Sequence, residues 1–440
     1  MRNTTSSPEH PHAPTEVDLT AVRLYTHGDP HTVWRAMRAE RPVAWHDRRG
    51  GEGFWVVTRY ADARKVLADH ETFSSEGGTT LSMLDAPDPA AGVMMQASDP
   101  PRHRILRREL SGRFAASAMP AHAAMVGDYV NRALDRVRGS ESWDLAEVFR
   151  PLPMQVGARL LGLPDADVAE LLRLAYASLA PHDPRFSGAG EPEVAAAAAH
   201  AEILAYFSER IAERRSTPRP DDVLSHLLDV RIDGRALDDY AVLVNCLSLL
   251  LGAVVTTSHV VSGMVIALTE PSGGEGIWPD APIAGIVEEG LRWCSPVIHF
   301  MRRARRDVDL HGIRIARGQA VTAWLASANR DEAVFPRPYE LDVRREPNRH
   351  LAFGAGPHLC LGANLARLML TSVFSQLISE FEAFELAGPA VHLASVEIAG
   401  VTSLPIRVRR RSVIGGRAAD ARRLPEGSNF LNTPSCEQRS

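Results

Sequence analysis

The spacing of apolar positions predicts a chain built mostly of helices. Apolar residues recur every three or four positions across much of 100–270, as they do on the buried face of amphipathic helices. Stretches of alternating or β-branched residues at 53–58, 308–324 and 390–411 predict short strands. Further helices are predicted near 31–42, 62–70, 283–293 and 361–381. We therefore expect a predominantly α fold with small β-sheets, of the α+β class.

The most apolar stretch, residues 241–268, contains no Lys, Arg, Asp or Glu. It predicts a helix over 238–268 that is buried on every side. A membrane-spanning helix would have the same length, but amide, hydroxyl and imidazole side chains recur along the stretch and no cluster of Lys or Arg flanks it. A buried core helix is therefore the prediction. The middle of the helix is unusual, because the small residues Gly252 and Ala253 stand where large apolar residues are expected, and Thr256 then places a hydroxyl group in the core.

Composition and charge limit the class of protein. The 440 residues are 45% hydrophobic and 23% charged, which is ordinary for a globular protein with a large core. No Gly/Ser-rich or Pro-rich linker interrupts the middle of the chain, so a single domain over 18–411 is expected. The polar ends, 1–17 and 412–440, are predicted to be disordered. A net charge of −5 gives no general attraction to nucleic acid.

The N-terminal residues and the cysteines predict a cytoplasmic protein. Residues 1–17 lack the apolar core of a signal peptide. The four cysteines are scattered without the regular spacing of a disulfide framework. A reducing compartment fits this pattern.

The strongest local signal for chemistry is FGAGPHLCLGANLAR, residues 353–367. A dinucleotide-binding GxGxxG pattern fails because Leu359 stands where its last glycine would be. A structural zinc site would need more ligands than His358 and Cys360. A cysteine nucleophile remains open, since its paired base would come from another part of the chain.

The glycines around Cys360 favour a metal-bound thiolate. Gly354 and Gly356 allow the backbone to approach a flat ligand without a Cβ clash. Cys360 lies just before a predicted helix, where free N–H groups and the helix dipole favour a thiolate. Gly362 keeps the first turn of that helix thin on the ligand side. A thiolate with a few backbone N–H neighbours is suited to bind iron.

This stretch resembles the haem-binding loop of the cytochrome P450 family. The matching positions are Phe353, Gly354, Gly356, His358, Cys360, Gly362, Leu365, Ala366 and Arg367. The resemblance extends over roughly 20–411. It implies the cytochrome P450 fold, with haem b (iron protoporphyrin IX) between the long 238–268 helix and the helix after Cys360. It also implies that Cys360 is the proximal thiolate ligand of the haem iron.

A Glu-x-x-Arg pair precedes this loop in the sequence. Glu289 and Arg292 share a helix face and can form an ion pair, although most such pairs lie on surfaces and contribute about 0.5 kcal/mol or less. In this context they resemble the family's ExxR helix, whose third charge comes from the segment before the haem loop. Arg345 is the matching position and Arg344 its near competitor. The resemblance implies a triad that serves folding and haem retention, not catalysis.

Four basic side chains match positions that contact the haem propionates in the family. His103 and Arg107 lie four residues apart on one face of a predicted helix, and Arg302 and His358 complete the set. Guanidinium suits this role because it donates two parallel hydrogen bonds to a carboxylate. Taken alone, each residue would more often be exposed or paired within the protein, so the assignment depends on all four together.

The long helix departs from the family at one position. Thr256 matches the distal threonine, which the resemblance implies helps to deliver protons for O–O cleavage. The family usually has Asp or Glu immediately before it, whereas this chain has Val255. Shifting the register by one places Val254 there, so the acid is not restored. Three explanations stay open: water held by Thr256, His259 or backbone replaces the acid, the substrate supplies a polar group, or the net reaction is decarboxylation, coupling, ring formation or desaturation instead of hydroxylation.

The resemblance also implies a substrate pocket with walls of mixed polarity, one of them formed by the loop 75–97. The expected lining residues are Met83, Leu84, Asn245, Leu249, Ala253, Val297, Ile298, His299, Phe300 and Thr402. Such walls favour a medium-to-large natural-product intermediate, such as a peptide, polyketide or alkaloid, over a bare hydrocarbon. The expected enzyme is a monooxygenase of secondary metabolism, antibiotic biosynthesis included.

The resemblance is to the bacterial type without a membrane anchor or fused reductase, which implies a monomer that receives two electrons from a separate ferredoxin and ferredoxin reductase. Neither a membrane nor nucleic acid is an expected partner. Candidate docking residues are Arg102, Arg104, Arg108, Arg113 and Arg349. A non-catalytic haem-binding protein is the alternative of a different class. A peroxide-using relative is disfavoured, because that type replaces the distal threonine.

Overall fold

The computed structural model describes residues 17–48, 50–86, 88–188, 190–219, 221–254, 256–269 and 281–411. The predicted disorder of 412–440, and of all but the last residue of 1–17, lies outside the described residues, and so does Val255. Helices dominate the described chain and strands form a smaller part. The predicted α+β class is confirmed.

The helices form one large apolar core. In chain order they are α1 (Val22–Thr26), α2 (Pro30–Glu40), α3 (Tyr60–Ala68), α4 (Arg102–Phe114), α5 (Met119–Asp135), α6 (Leu145–Phe149), α7 (Leu152–Leu161), α8 (Val168–Leu179), α9 (Pro184–Ser187), α10 (Pro192–Ser216), α11 (Val223–Asp229), α12 (Asp239–Val254), α13 (Thr257–Thr269), α14 (Ile283–Cys294), α15 (Leu325–Ala328) and α16 (Ala363–Glu380). Helix α12 packs against α7, α8 and α10, and α16 packs against α5, α13 and α14. These contacts bury the most apolar helices at the centre of the molecule.

The strands form one five-stranded sheet and several smaller ones. They are β1 (Val43–His46), β2 (Phe54–Val57), β3 (Phe73–Ser74), β4 (Ser142–Asp144), β5 (Arg231–Ile232), β6 (Arg235–Ala236), β7 (His299–Ala304), β8 (Val308–Leu310), β9 (Ile313–Ile315), β10 (Ala320–Trp324), β11 (Phe381–Leu386), β12 (Val391–His392), β13 (Val401–Ser403) and β14 (Pro405–Arg410). The large sheet has the order β1-β2-β10-β7-β3, in which only β2 and β10 pair in parallel. Strands β11, β14 and β4 form a second sheet.

The predicted 238–268 helix exists but is interrupted. Helix α12 ends at Val254 and α13 begins at Thr257, with Thr256 in a bend between them. Among the described residues of 239–269, the prediction of a helix therefore fails at Thr256 alone. Residues 254–257 are all β-branched, and such side chains lose rotamer freedom in a helix and weaken it locally. The bend at Thr256 follows closely after the two small residues Gly252 and Ala253.

Taken as one segment, Asp239–Thr269 is long and apolar enough to cross a membrane. Of its most apolar 18-residue window, however, 59% is buried inside the fold. The apolar surface of this segment therefore packs mainly against its neighbours α7, α8 and α10 on one half and α14 and α16 on the other.

The sequence pattern located some strands and missed others. The stretches predicted at 53–58, 308–324 and 390–411 contain β2, β8 to β10 and β12 to β14, which confirms them. Strand β7 was not predicted, because its letters HFMRRA place two arginines side by side. Adjacent residues of a strand point to opposite faces. In β7 this directs Arg302 and Arg303 to different surroundings.

Candidate functional site

Cys360 lies in a tight turn immediately before α16. Its backbone N–H donates to the carbonyl of Phe353 at 2.9 Å, and Gly362 forms the N-terminal cap of the helix. Burial among protein atoms raises the pKa of the Cys360 thiol, while the Gly362 N–H and the charges of Arg107 and Arg367 act in the opposite direction. The residue nevertheless has accessible surface. The residue is therefore surrounded by many protein atoms and still keeps part of its own surface accessible.

The two glycines before Cys360 have different roles. Gly354 and Gly356 have φ angles of +75° and +69°, in the left-handed region that favours glycine. A Cβ on Gly356 would lie 2.5 Å from the Cα of Ala68 in α3, whereas a Cβ on Gly354 would meet nothing closer than 3.8 Å. The expectation that both admit a flat ligand is wrong for Gly356. This residue admits helix α3 and holds the loop against it.

Basic side chains from three elements converge beside the loop. The rings of His103 in α4 and His358 lie 4.1 Å apart. Burial, together with the charge of Arg107, lowers the pKa of His103 to about 4. Burial, Arg302, His103 and Arg107 lower the pKa of His358 to about 2. The predicted set of four is therefore brought together, with both imidazoles neutral at pH 7.

Arg302 is the least compensated member of this group. It is 3% exposed, and burial lowers its pKa to about 10. Its guanidinium donates to the carbonyl of Met301 at 2.8 Å, and it makes no ion pair with a carboxylate of the described residues within 4.0 Å. The buried Nδ1 of His103 also lacks a hydrogen-bond partner there. Because a buried cation is costly without a counter-charge, this arrangement suits an anionic ligand.

The three predicted triad residues meet in the core. Glu289 and Arg292 are fully buried and form two hydrogen bonds of 2.7 and 2.8 Å. Arg345 approaches Glu289 at 3.3 Å and donates to the carbonyl of Pro336 at 2.6 Å. Arg292 donates to further backbone carbonyls, including that of Asn329 at 2.9 Å. These bonds tie α14 to the irregular segment that precedes the Cys360 loop.

A second charged cluster lies next to this triad and was missed from the sequence. Arg367 in α16 forms two hydrogen bonds of 2.6 and 2.9 Å with Glu288 in α14. His350 lies 3.3 Å from the same carboxylate. Burial raises the pKa of Glu288, but Arg367 and His350 outweigh it and bring the value to about 2. The available signal was the double acid Glu288-Glu289, of which the motif uses only the second.

The interrupted helix presents a small residue to open space. Gly252 is exposed, and a Cβ placed on it would meet nothing within 4 Å. Leu249 lies three residues before it on the same helix face, and both Leu249 and Thr256 are half-buried. Ala253 points elsewhere, because its Cβ lies 3.1 Å from the Cβ position of Gly157 in α7. Of the two thinning residues, Gly252 alone borders the open side.

Comparisons with known proteins agree with this geometry. The family model named Cytochrome P450 matches residues 283–394. Over 401 residues the chain is 34% identical to the cytochrome P450 NovI of Streptomyces niveus, covering 89% of this chain and 96% of that protein. The chain belongs to the cytochrome P450 family. It is accordingly an oxidoreductase of the monooxygenase class, and haem is the cofactor of its family.

Solved structures give the same P450 fold. The cytochrome P450 CYP268A2 of Mycobacterium marinum, in complex with pseudoionone, has a TM-score of 0.83 and 29% identity, over 91% of this chain and 100% of that one. OxyD, a P450 involved in the biosynthesis of vancomycin-type antibiotics, has a TM-score of 0.79 and 34% identity, over 90% and 100%. Relatives of this P450 therefore include enzymes of antibiotic biosynthesis.

The described residues of this P450 fit a haem. Its two propionates would supply the negative charge that Arg302 lacks and an acceptor for the unpartnered nitrogen of His103. Cys360, which has accessible surface, offers the thiolate. Gly252 leaves free space beside α12. The thiolate donor, the positive charge and the free space are therefore all consistent with a bound haem.

The predicted pocket residues of this P450 divide into two groups. Met83, Leu249, Val297 and Phe300 are half-buried, so they retain surface toward open space. Leu84 and Ile298, by contrast, are 1% exposed and belong to the core cluster around Trp34. His299 stacks on Trp324 with ring centroids 4.7 Å apart. Because strand residues alternate, His299 faces away from Phe300 and Arg302, and its expected place in the pocket wall is wrong.

Two polar residues predicted to line the pocket form hydrogen bonds within the protein instead. Asn245 is 1% exposed, accepts a hydrogen bond from the Met95 N–H at 2.8 Å, and donates to the carbonyls of Val93 and Ala241. Thr402 is equally buried and donates to the carbonyl of Val391 at 3.1 Å. The expectation that they contact substrate is therefore wrong for both. Asn245 instead ties the loop 75–97 to α12.

A second polar contact between the loop 75–97 and α12 was not predicted from the sequence. Ser248 donates to the side-chain oxygen of Gln96 at 3.2 Å, and the Gln96 amide donates to Thr79 at 3.1 Å. Both Gln96 and Ser248 are half-buried. No motif distinguishes them in the sequence, and only the approach of the loop to α12 brings them together.

Proposed function

We propose that this P450 is a haem-thiolate monooxygenase that oxidises a medium-to-large natural-product intermediate, such as a peptide, polyketide or alkaloid. The catalytic domain is taken as residues 18–411 of a cytoplasmic monomer. The observation that carries the proposal is the buried Arg302, which forms no ion pair within 4.0 Å with a carboxylate of the described residues, beside Cys360, which has accessible surface. When bound, the haem supplies iron-centred activation of O2 with two electrons. All other roles are assigned to residues of the chain.

Cys360 is proposed as the axial ligand, and the loop around it holds the sulfur in place. Its N–H is engaged by the Phe353 carbonyl at 2.9 Å, and the Gly362 N–H lies at the sulfur. Thiolate ligation offsets the cost of burying the sulfur, because the metal replaces the proton. The triad of Glu289, Arg292 and Arg345 braces this arrangement by tying the preceding segment to α14.

His103, Arg107, Arg302 and His358 are proposed to bind the propionates. The guanidinium groups of Arg107 and Arg302 provide the positive charge, and His103 and His358 offer ring nitrogens as hydrogen-bond donors. Two cations facing two carboxylates give a balanced site. This balance supports the assignment of these four residues, from α4, β7 and the Cys360 loop, as the groups that would hold the propionates.

The proposed proton path lacks the usual acid and gains no substitute from His259. The Nδ1 of His259 accepts from the Val401 N–H at 3.2 Å, and its Nε2 contacts the Tyr176 hydroxyl at 3.3 Å. Burial lowers the pKa of His259 to about 4. Both nitrogens are therefore engaged away from Thr256. This favours a proton-bearing group on the substrate, or a net reaction other than hydroxylation, over a relay through His259.

A direct test compares Val255→Asp with the wild type. On an analogue without polar groups near the oxidised carbon, wild type should consume NADPH with poor coupling to product, and Val255→Asp should improve the coupling. On the natural substrate the substitution should give little gain. Near-complete coupling of the wild type on the analogue, with no gain from Val255→Asp, would overturn the substrate-assisted proposal.

Electrons are proposed to come from a separate ferredoxin and its reductase. Arg104, Arg108 and Arg349 are exposed and suit an acidic partner. Arg113 is half-buried and donates to the backbone carbonyl of Asp221 at 3.0 Å, and Arg102 is also half-buried. The docking surface is therefore proposed around the three exposed arginines.

The overall proposal is tested by spectroscopy and turnover. The reduced protein with CO should absorb at the position typical of thiolate-ligated haem, and Cys360→Ser should lose that band while still binding haem. Turnover with a surrogate ferredoxin, its reductase and NADPH separates an enzyme from a non-catalytic haem binder. A band that survives in Cys360→Ser would show that the axial ligand is another residue.

A further inference from the structure

We propose that Glu288 and Arg367 form a charge pair that tunes the electron donation of Cys360 to iron. Both are positioning residues, since neither touches the sulfur. The inference rests on the proposed role of Cys360 as axial ligand. It assigns a purpose to a cluster that the ExxR triad does not need.

The pair converges on the residue that holds the Cys360 backbone. The guanidinium of Arg367 lies 4.6 Å from the ring centroid of Phe353. The carbonyl of Phe353 accepts the Cys360 N–H at 2.9 Å. Arg367 therefore contacts the residue that fixes the sulfur-bearing backbone.

Glu288 determines where that charge lies. Two hydrogen bonds of 2.6 and 2.9 Å hold the guanidinium of Arg367 in one orientation. His350 lies next to the same carboxylate, although its Nε2 forms no hydrogen bond among the described residues. The Ala352 N–H donates to its Nδ1 at 3.2 Å, so the ring proton lies on Nε2, 3.3 Å from Glu288. The carboxylate stays ionised, because Arg367 and His350 outweigh burial and bring its pKa to about 2.

Electrostatics gives the pair a signature that a structural brace lacks. Adding an electron to ferric haem makes the site more negative, so the cation of Arg367 favours the reduced form and the anion of Glu288 opposes it. Arg367→Gln should therefore lower the one-electron reduction potential, and Glu288→Gln should raise it. A brace predicts shifts of the same sign, because both substitutions break the same ion pair.

The experiment measures the ferric–ferrous potential of the holoenzyme by spectroelectrochemistry in four proteins: wild type, Arg367→Gln, Glu288→Gln and the double variant. We expect each single variant to change the ferric–ferrous equilibrium constant about threefold or more in opposite directions, where tenfold corresponds to 59 mV for a one-electron couple. The double variant should return toward wild type. Arg367→Lys keeps the charge and should restore most of the shift.

A second ion pair of α16 provides a matched control. Arg138 and Glu380 are joined at 2.7 Å, and their side chains are 36% and 20% exposed, against 36% and 26% for Arg367 and Glu288. Glu380 lies 13 residues beyond Arg367, about 20 Å along the helix. Glu380→Gln should change the unfolding midpoint but leave the potential unaltered.

The outcomes separate this inference from the proposed function. If the reduced-CO band is absent in wild type, or survives in Cys360→Ser, the axial-ligand proposal fails first. If that band behaves as expected but both single variants shift the potential in the same direction, or not at all, the charge-pair inference alone is overturned. A shift in Glu380→Gln as large as in Glu288→Gln would overturn it as well.

Discussion

At the residue scale, Arg302 shows how a missing partner indicates a ligand. The guanidinium of Arg302 is 3% exposed and donates to the adjacent carbonyl of Met301, and a cation in this setting is costly for the protein to bury. Sequence matching identified the position but not its cost. The cost follows from burial on β7, whose neighbouring residue Arg303 reaches an exposed carboxylate, Glu52, at 2.7 Å. Of these two adjacent arginines, Arg303 is paired with a carboxylate near the surface, whereas Arg302 is buried without an ion pair to a described carboxylate.

Replacing Arg302 should therefore have opposite effects with and without haem. In the haem-free protein, Arg302→Met should leave the urea unfolding midpoint unchanged or raise it, because it removes a buried cation and keeps the length of the side chain. In the holoprotein it should speed haem transfer to apomyoglobin by about tenfold or more, as expected for a lost charge-assisted pair of about 1.5–3 kcal/mol. Arg303→Met is the control and should not affect haem transfer. A clear loss of stability in haem-free Arg302→Met would contradict the argument.

At the element scale, the Cys360 loop depends on α3 as much as on α16. The sequence predicted both helices and the glycine pattern, but it could not show which glycine faces which neighbour. Only the packing of the loop places Ala68 against Gly356. The same limit applies to β7, where alternation would have separated His299 from Phe300 once the strand was known.

The two glycines of the loop provide a matched pair of substitutions. Gly354→Ala and Gly356→Ala both place a side chain at positive φ, which costs about 1–2 kcal/mol. Gly356→Ala additionally drives a Cβ to 2.5 Å from the backbone of Ala68, so it should lower the free energy of unfolding clearly more and reduce haem content. Denaturant unfolding and the haem-to-protein absorbance ratio measure both effects. Equal losses in the two variants would show that the contact with α3 is unimportant.

His259 links three elements, α13, β13 and α8, and should make the fold sensitive to acid. Its pKa of about 4 lies below the ordinary value of 6.5, so the unfolded chain binds the extra proton between these values. Stability should therefore fall as the pH drops from about 6.5 to 4, by about 1.4 kcal/mol per pH unit and roughly 3 kcal/mol in total.

His259→Gln removes this titration while keeping a side chain that can accept and donate hydrogen bonds. Unfolding free energies measured at several pH values between 4 and 7 should show a shallower acid slope for the variant than for wild type, whatever its stability at pH 7. Parallel slopes would mean that His259 is not the group responsible.

At the scale of the whole molecule, one lysine marks the side of the protein proposed to meet its electron donor. Lys65 is the single lysine among 49 basic residues. It is exposed on α3, one turn before Ala68, which packs against Gly356 of the Cys360 loop. Lys65 could not be connected with that loop from the sequence alone, because the two are almost 300 positions apart and only the packing of α3 joins them.

This isolated amine allows the docking side to be located by chemistry. A carbodiimide joins lysine amines to carboxylates in contact, so an acidic ferredoxin docked at this side should give a cross-linked product whose peptide map contains Lys65. The yield should fall as salt is raised, since the attraction is between exposed charges.

Lys65→Arg keeps the charge but removes the amine, and it should abolish that cross-link while leaving the rate of electron transfer within about twofold. Arg104→Glu should weaken both the cross-link and the rate, because it reverses a charge of the proposed surface. A cross-link to Lys65 that persists at full yield in high salt, or in Arg104→Glu, would place the ferredoxin elsewhere.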